Sequence, residues 1–382
     1  MAYTCFYCFH ESDQLAPLCN NPACYNEPYT PIVRALSGDA STVARHMMRK
    51  NLQLGDLECP ACGSIEYSYR CEMCHKDIIP EFRSQPPILT IALTGARNSG
   101  KTVYMVSLVQ TLRNMATASS YAFTGMYDTD AHFNSAYYKR IYQDNEAIPA
   151  TPIEYQKPLF YRIQKQNSAP IYIVIRDIAG EVLQKNDSND PALHYIPASD
   201  LTLFLFDPYT IPSLMNELAG LIPERQGGGI GGEVVLNALL NNLIMPYKGR
   251  RTNLALVFSK FDVVQILGET NTSSLPEIMG NKGLSFLVDD TSTRPARWNI
   301  EEALILDQDV RSLLVKTEGD EVLLAAEVAF HDTPHKLATF AVSALGNPPG
   351  QHYLSEHGVA PFRCADPVMW AFYRKFGRAL FS

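Results

Sequence analysis

The chain has 382 residues, a formal net charge of −8, 46% hydrophobic residues and 19% charged ones. That length has room for about two to three domains, and the composition is that of an ordered globular protein. The acidic balance excludes sequence-independent nucleic-acid binding, which needs a basic surface, and no sequence-specific nucleic-acid partner is expected. No apolar run reaches the ~18 residues of a membrane span, and the N-terminus MAYTCFYCFHESD lacks a basic region followed by an apolar one. A cytoplasmic protein without signal peptide or membrane span is therefore expected.

Eight of the nine cysteines fall in the first 74 residues, as Cys5/Cys8, Cys19/Cys24, Cys59/Cys62 and Cys71/Cys74. Closely spaced thiolates grip one ion from a tight turn, and four of them complete a tetrahedral zinc shell. Four pairs imply two structural Zn2+ ions in zinc-ribbon modules, at residues 1–30 and 57–85. Interleaved pairing between the quartets stays open. Four disulfides are the alternative, which an intracellular chain disfavours. His10 and His75 adjoin the clusters but are unnecessary as ligands. Residues 31–56, including STVARHMMRKNLQL, have helical spacing and read as a helical linker. With all eight cysteines before Pro86, metal removal is expected to spare the rest of the chain.

From about residue 86 to the end, ILTIALTG, IYIVIRDIAG, LTLFLFD, NLALVFSKFD and LATFAVSALG are short apolar runs alternating with longer helical stretches. Such runs predict strands buried on both faces of a mainly parallel sheet, hence an α/β, three-layer domain over 86–382. Insertions are expected near 209–250 and 265–315. The first contains ERQGGGIGGEVV, which reads either as a plain solvent loop or as a lid or docking segment.

The first strand runs into Gly95-x-x-x-x-Gly100-Lys101-Thr102, and KTVYMVSLVQTLRNM follows as a helix. Strand, glycine loop and helix are the context the phosphate-loop pattern requires. Backbone N–H groups of residues 98–102, including Asn98, Ser99 and Gly100 and abutting Val103, would surround a β-phosphate at the positive end of the helix. Lys101 would reach the β- and γ-phosphates, and the Thr102 hydroxyl would ligate Mg2+.

Three later strand ends carry chemistry. Asp177-x-x-Gly180 offers a carboxylate for Mg2+ and an N–H that can sense a γ-phosphate. Ser259-Lys260-Phe261-Asp262 places a carboxylate where it can accept from guanine N1–H and N2, with the Lys260 stem lying on the base. Ser343-Ala344-Leu345 offers a backbone N–H to guanine O6. The order of these motifs at successive strand ends points to guanine, so the expected ligands are GTP and GDP.

GARNSGKT, DIAG, SKFD and SAL together resemble the TRAFAC class of P-loop GTPases over roughly residues 86–382. The cysteine-rich N-terminus, the DPVMWAFYRKFG helix and the insertion before SKFD resemble the bacterial double-GTPase families. That resemblance implies a hydrolysing GTPase module of a conflict or anti-phage system. Its partners would be effector or adaptor proteins or a second GTPase, with the oligomeric state open. It also implies a magnesium-binding switch threonine, for which Thr151 is the first candidate and Thr129 the second.

Two departures matter. Ras-like GTPases carry a glutamine after the DxxG glycine, whereas here Glu181 stands there, and its charge would be repelled by a γ-phosphate unless protonated or paired. Asn98 occupies the loop position that in potassium-activated relatives helps hold K+, or it only stabilises the loop; Arg97 beside it is a competing source of charge. Intact Lys101, Thr102 and Asp177 favour a slow, Mg2+-dependent GTP-hydrolysing switch over a GTP-binding scaffold with negligible turnover.

Overall fold

Short strands open the chain: β1 (Tyr3–Thr4) pairs antiparallel with β2 (Glu11–Ser12), and β3 (Ala16–Cys19) with β6 (Tyr67–Arg70). Between them, β4 (Arg49–Lys50) pairs with β5 (Leu57–Glu58). The computed structural model describes residues 3–51, 55–78, 86–146, 156–184, 190–221, 232–244, 246–269, 290–348 and 358–381. Helix α1 (Thr30–Ser37) has Pro in its first turn and ends at Gly38 in the left-handed region.

Of the helical linker expected over 31–56, residues 31–37 are helical within α1, but 41–51 of STVARHMMRKNLQL are not; 52–54 lie outside the described residues. Residues 46–48 run extended against β3, where Cys19 N–H donates to His46 O and Met48 N–H to Pro17 O, both at 2.9 Å. Local helical spacing yields here to strand pairing beside a cysteine cluster, since the backbone groups of β3 need partners. Both cysteine quartets draw one pair from residues 5–24 and one from 59–74. The two modules expected at 1–30 and 57–85 are therefore corrected: their described residues, 3–30 and 57–78, run together as one interleaved unit through the β3–β6 pairing.

The five apolar runs become β7 (Ile88–Gly95), β10 (Ile171–Asp177), β11 (Leu201–Phe206), β12 (Asn253–Phe258) and β13 (Leu337–Ala341). Every residue of these five strands is buried, as continuous apolar runs require. Two further strands, β8 (Tyr121–Gly125) and β9 (Leu159–Lys165), complete a seven-stranded sheet ordered β13-β12-β11-β7-β10-β9-β8. The five adjacent strands from β13 to β10 are parallel, and β9 is antiparallel to both β10 and β8.

Helix α2 (Lys101–Ala118) follows β7 as the glycine loop predicts. The helix Ile300–Lys316 precedes β13; its Asn299 cap accepts the Glu302 N–H at 2.9 Å, with two acidic residues in the first turn. DPVMWAFYRKFG closes the domain as the helix Asp366–Phe376, stopped by Gly377 at φ 67°. Of the glycine-rich stretch, residues 222–231 lie outside the described residues, as do 270–289 of the second insertion.

One hydrophobic core joins the sheet to the N-terminal unit: Tyr3, Cys5, Phe6, Cys8, Phe9, Leu36, Cys71 and Cys74 belong to the cluster that contains β7 and β10. Phe6 stacks on Phe160 of β9 at 4.7 Å and Phe9 meets Tyr195 edge-on at 5.5 Å. Cys19, Cys24, Met48 and Cys59 form a separate cluster. The cysteine region is therefore not packed as a separate unit: one quartet shares the main core, and the other lies in its own cluster.

Candidate functional site

The carboxyl ends of parallel strands leave loops with unpaired backbone groups, and here four such ends converge. Gly95 closes β7 at φ 142°, where a Cβ would stand 2.3 Å from the Leu205 carbonyl oxygen. The loop then carries Asn98 at φ 64°, a conformation that Asn tolerates better than most residues, and Gly100 at φ 86° before α2 begins. Ser99 is buried and its hydroxyl donates to Ala96 O at 2.9 Å.

Lys101 is buried with its ammonium donating to Gly95 O at 3.0 Å and Ala96 O at 2.7 Å. Burial lowers its pKa, while the charges of Asp177 and Glu181 act the other way, which places both carboxylates within its field. The Thr102 hydroxyl lies 3.5 Å from Asp177 Oδ2. One hydroxyl and one carboxylate side by side are hard oxygen donors suited to Mg2+, which keeps most of its remaining coordination for water and phosphate. Val103 is half-buried against the core.

Gly180 lies against the loop: a Cβ there would meet Gly95 O at 2.8 Å and Arg97 N at 2.9 Å. Only glycine lets the DxxG turn sit so near the phosphate loop. Glu181 is paired with Arg97, Oε1 to Nε at 3.4 Å, on the open side of the site. Of the two switch-threonine candidates, Thr151 lies outside the described residues. Thr129 is buried and its hydroxyl accepts the Phe160 N–H at 3.2 Å, which ties it to β9.

The SKFD motif is fastened to the glycine loop and the SAL motif to SKFD. Ser259 Oγ donates to Ser99 O at 2.9 Å and to Phe206 O at 2.8 Å. Lys260, itself left-handed at φ 53°, donates to Asn98 O at 2.6 Å and forms an ion pair with Asp207. Asp262 is buried, and its Oδ1 accepts the Ser343 hydroxyl at 2.6 Å. Ser343 Oγ in turn accepts the Gly346 N–H at 2.7 Å. Ala344 O accepts the Ser107 hydroxyl at 2.7 Å and Leu345 O the Ala360 N–H at 2.8 Å, so the SAL turn is held on both sides.

Three residues escaped the sequence reading. Asp207 ends LTLFLFD at the same sheet edge, a position that marks it in hindsight. Tyr137 sits on the π-helical stretch Asn134–Gln143; burial, then the nearby charge of Asp177, pushes its phenol up to about 12. Arg176 is a buried charge inside the apolar run IYIVIRD, which by itself calls for an explanation.

The eight N-terminal cysteines are unbonded thiols in two sets, Cys5, Cys8, Cys71, Cys74 and Cys19, Cys24, Cys59, Cys62, each with sulfurs within 4.8 Å of one another. Zn–S bonds of about 2.3 Å at tetrahedral angles put sulfurs roughly 3.8 Å apart. The observed separations fit: Cys5–Cys74 3.5 Å, Cys8–Cys71 3.7 Å, Cys19–Cys62 3.8 Å and Cys24–Cys59 3.7 Å. Three of the four pairs share one backbone turn, in which the first cysteine's O accepts from the residue four on: Phe9, Gly63 and His75, all at positive φ. Both quartets could therefore hold zinc. His75 Nδ1 instead accepts the Arg45 N–H at 2.9 Å, and His10 bonds Glu72 and Tyr247 at 2.9 and 2.8 Å.

A mainly parallel sheet with a glycine phosphate loop after its central strand and an aspartate-glycine turn packed on that loop defines a P-loop GTPase. The model of the family Double-GTPase 2 matches residues 89–308, more than half of the chain, and the chain belongs to that family. It is also similar to the putative ESX-1 scaffolding and assembly protein SaeC of Mycolicibacterium smegmatis, 29% identical over 307 residues that make up 78% of each chain. Among solved structures, two of the S. cerevisiae Ski7 GTPase-like domain align, one bound to GTP and one to GDP and inorganic phosphate. Each has a TM-score of 0.35; identities are 11% and 10%, over 80% and 78% of this chain. This chain spans about half the length of those structures, 54% and 53%. Among the described residues, no helix is long and apolar enough to cross a membrane.

Proposed function

We propose that this chain is a GTP-hydrolysing switch that needs Mg2+ and acts through partner proteins. The observation that carries the reading is the fastening of the base-side motif to the phosphate loop, through Ser259 to Ser99 O and Lys260 to Asn98 O, in the chain whose Thr102 and Asp177 stand 3.5 Å apart. In this reading Gly95–Val103 and Lys101 cradle the phosphates, Thr102 and Asp177 hold the metal, with Thr151 or Thr129 as its switch ligand, and Lys260, Asp262 and Ser343–Leu345 select guanine. Bound Mg2+ would neutralise charge on the β- and γ-phosphates. Lys101 would trade its two loop carbonyls for phosphate oxygens, and burial keeps water from screening that charge. Gly180 N–H would report the γ-phosphate, and Glu181, held by Arg97, would orient water less well than a neutral glutamine.

Turnover is accordingly expected to be slow without a partner. The assay is GTP hydrolysis by the purified protein with Mg2+, against Lys101→Ala and against chelated metal. Turnover above both controls supports the switch.

A second reading, a GTP-binding scaffold with negligible turnover, is favoured by the likeness to a protein described as a scaffolding and assembly factor and by the charged Glu181. GTP binding without turnover, alone or with candidate partners, would select it. A role in bacterial conflict follows from the family resemblance and a role in assembly from the SaeC likeness; nucleotide-gated docking of an effector, an adaptor or a second GTPase serves both.

A further inference from the structure

Arg176 is buried in β10, one residue before Asp177, and its hydrogen bonds run to backbone carbonyls. Its guanidinium donates to three carbonyls of the N-terminal unit: Leu36 O at 2.6 Å, Ala35 O at 2.7 Å and Tyr7 O at 3.0 Å. Ala35 and Leu36 lie in the last turn of α1, whose terminal carbonyls have no helical partner and carry the negative end of the dipole. Tyr7 lies between Cys5 and Cys8. The Arg176 guanidinium also covers the Tyr195 ring at 4.1 Å, and Tyr195 packs edge-on against Phe9 of the same knuckle. Gly38, at φ 67° just past α1, sits beside this contact: a Cβ there would meet Gln156 O at 2.1 Å and the Arg176 Nη2 at 3.1 Å.

Four thiolates around one Zn2+ carry a net charge of 2−, and a buried cation beside them offsets part of it. One guanidinium therefore caps α1, braces the inner cysteine knuckle and fixes the strand end that presents Asp177 to Thr102 and Gly180 to the phosphate loop. The outer quartet lies in its own cluster, apart from the main core.

We infer that Arg176 is a positioning residue that anchors the magnesium-side end of β10 to the inner cysteine quartet, so that metal at Cys5, Cys8, Cys71 and Cys74 and nucleotide at Lys101–Asp177 strengthen each other's binding. The inference rests on the nucleotide-site reading proposed above. Coupling of this kind is reciprocal and typically about 5–150-fold.

The test uses the full chain with fluorescent GDP, titrated with Mg2+ and with the metal chelated, for wild type, Arg176→Lys and Arg176→Met. The ratio of the two affinities measures what the magnesium side contributes. Arg176→Met is expected to shrink that ratio by about tenfold while the chelated-metal affinity changes little. Arg176→Lys, which keeps the charge without the three-way fork, should fall between. An unchanged ratio in a folded Arg176→Met protein holding two zinc ions overturns the inference. In wild type, a zinc-selective chelator should release one zinc per chain more slowly when Mg2+ and GDP are bound, and the other at an unaltered rate. Equal release of both with and without nucleotide overturns the inference even if the variants do not fold. Failure of wild type to bind GDP at all removes the nucleotide-site reading itself.

Discussion

The hydroxyl of Ser343 donates to Asp262 Oδ1 at 2.6 Å, so the two base-side motifs, 81 residues apart, are joined before any ligand arrives. A buried carboxylate held in this way is pre-oriented, and a base without matching donors would gain no hydrogen bonds from it.

GTP and GDP should accordingly bind more tightly than ATP and ADP by about 3 kcal/mol or more. Asp262→Asn should shift preference toward xanthine nucleotides, whose O2 accepts where guanine N2 donates. Ser343→Ala should weaken GDP about tenfold, as loss of a hydrogen bond to a charged group does. Isothermal titration with the four nucleotides checks all three; equal ATP and GTP affinities would overturn the guanine assignment.

The pair between Arg97 and Glu181 answers the repulsion expected between Glu181 and a γ-phosphate. Arg97 is well exposed, so the effect should be small. Arg97→Ala should lower the GTP-to-GDP affinity ratio about two- to fivefold, and Glu181→Gln should raise it by a similar factor. A competition assay against both nucleotides reads the ratio. Identical ratios in both variants would remove Glu181 from the γ-phosphate's surroundings.

Elemental analysis should find about two zinc ions per chain. Cys62 is the exposed member of the outer quartet, whereas all four inner cysteines are buried in the main core. Cys62→Ser should cost one zinc with little effect on nucleotide binding. Cys8→Ser should cost the other and lower the unfolding temperature of the whole protein, because metal-binding energy is folding energy there. Equal thermal shifts would contradict the two-cluster division.

Asn98 tests the cation reading of the loop. GTP turnover in potassium against sodium at equal ionic strength is compared for wild type and Asn98→Gly, which removes the amide yet keeps the left-handed backbone without steric cost. A potassium-specific gain that disappears in the variant supports a bound K+; equal rates in both salts reject it.

Asp200 supplies a pH test. It is buried and bonds Lys375 Nζ at 2.7 Å, Arg250 Nη1 at 2.5 Å and the Thr90 N–H at 2.9 Å. Burial raises its pKa, but Lys375 and Arg250 outweigh that and the net shift is downward. A folded pKa below the unfolded one gives stability that is present above about pH 4 and is lost as the pH falls further. Asp200→Asn should destabilise by roughly 3 kcal/mol near neutral pH, leaving two cations short of a partner. Denaturant unfolding should show the wild-type advantage narrowing below about pH 4; a constant difference would assign the effect to packing.

Five strands, the glycine loop, its helix and the closing helix were legible because each depends on contacts within a few residues. A run such as IYIVIRD is apolar on both faces, and Gly95 and Gly100 mark the turns wherever the strand lies. The DxxG glycine was legible for the same reason, although its tightness is visible only in the fold, where an added Cβ would meet Arg97 N. The cysteine spacing marked four close pairs able to grip a metal, but which pairs meet, Cys5 and Cys8 with Cys71 and Cys74, was settled by the β3–β6 pairing. The stretch 41–51 has helical spacing and became extended because β3 needed a neighbour. Strand β8 went unread because YAFTG alternates without a long apolar run. Arg176 was a conspicuous charge in an apolar strand, yet its role required knowing which carbonyls would face it. Local periodicity fixes elements through short-range sterics and burial; hydrogen bonds between residues 140 positions apart exist only once the core has closed.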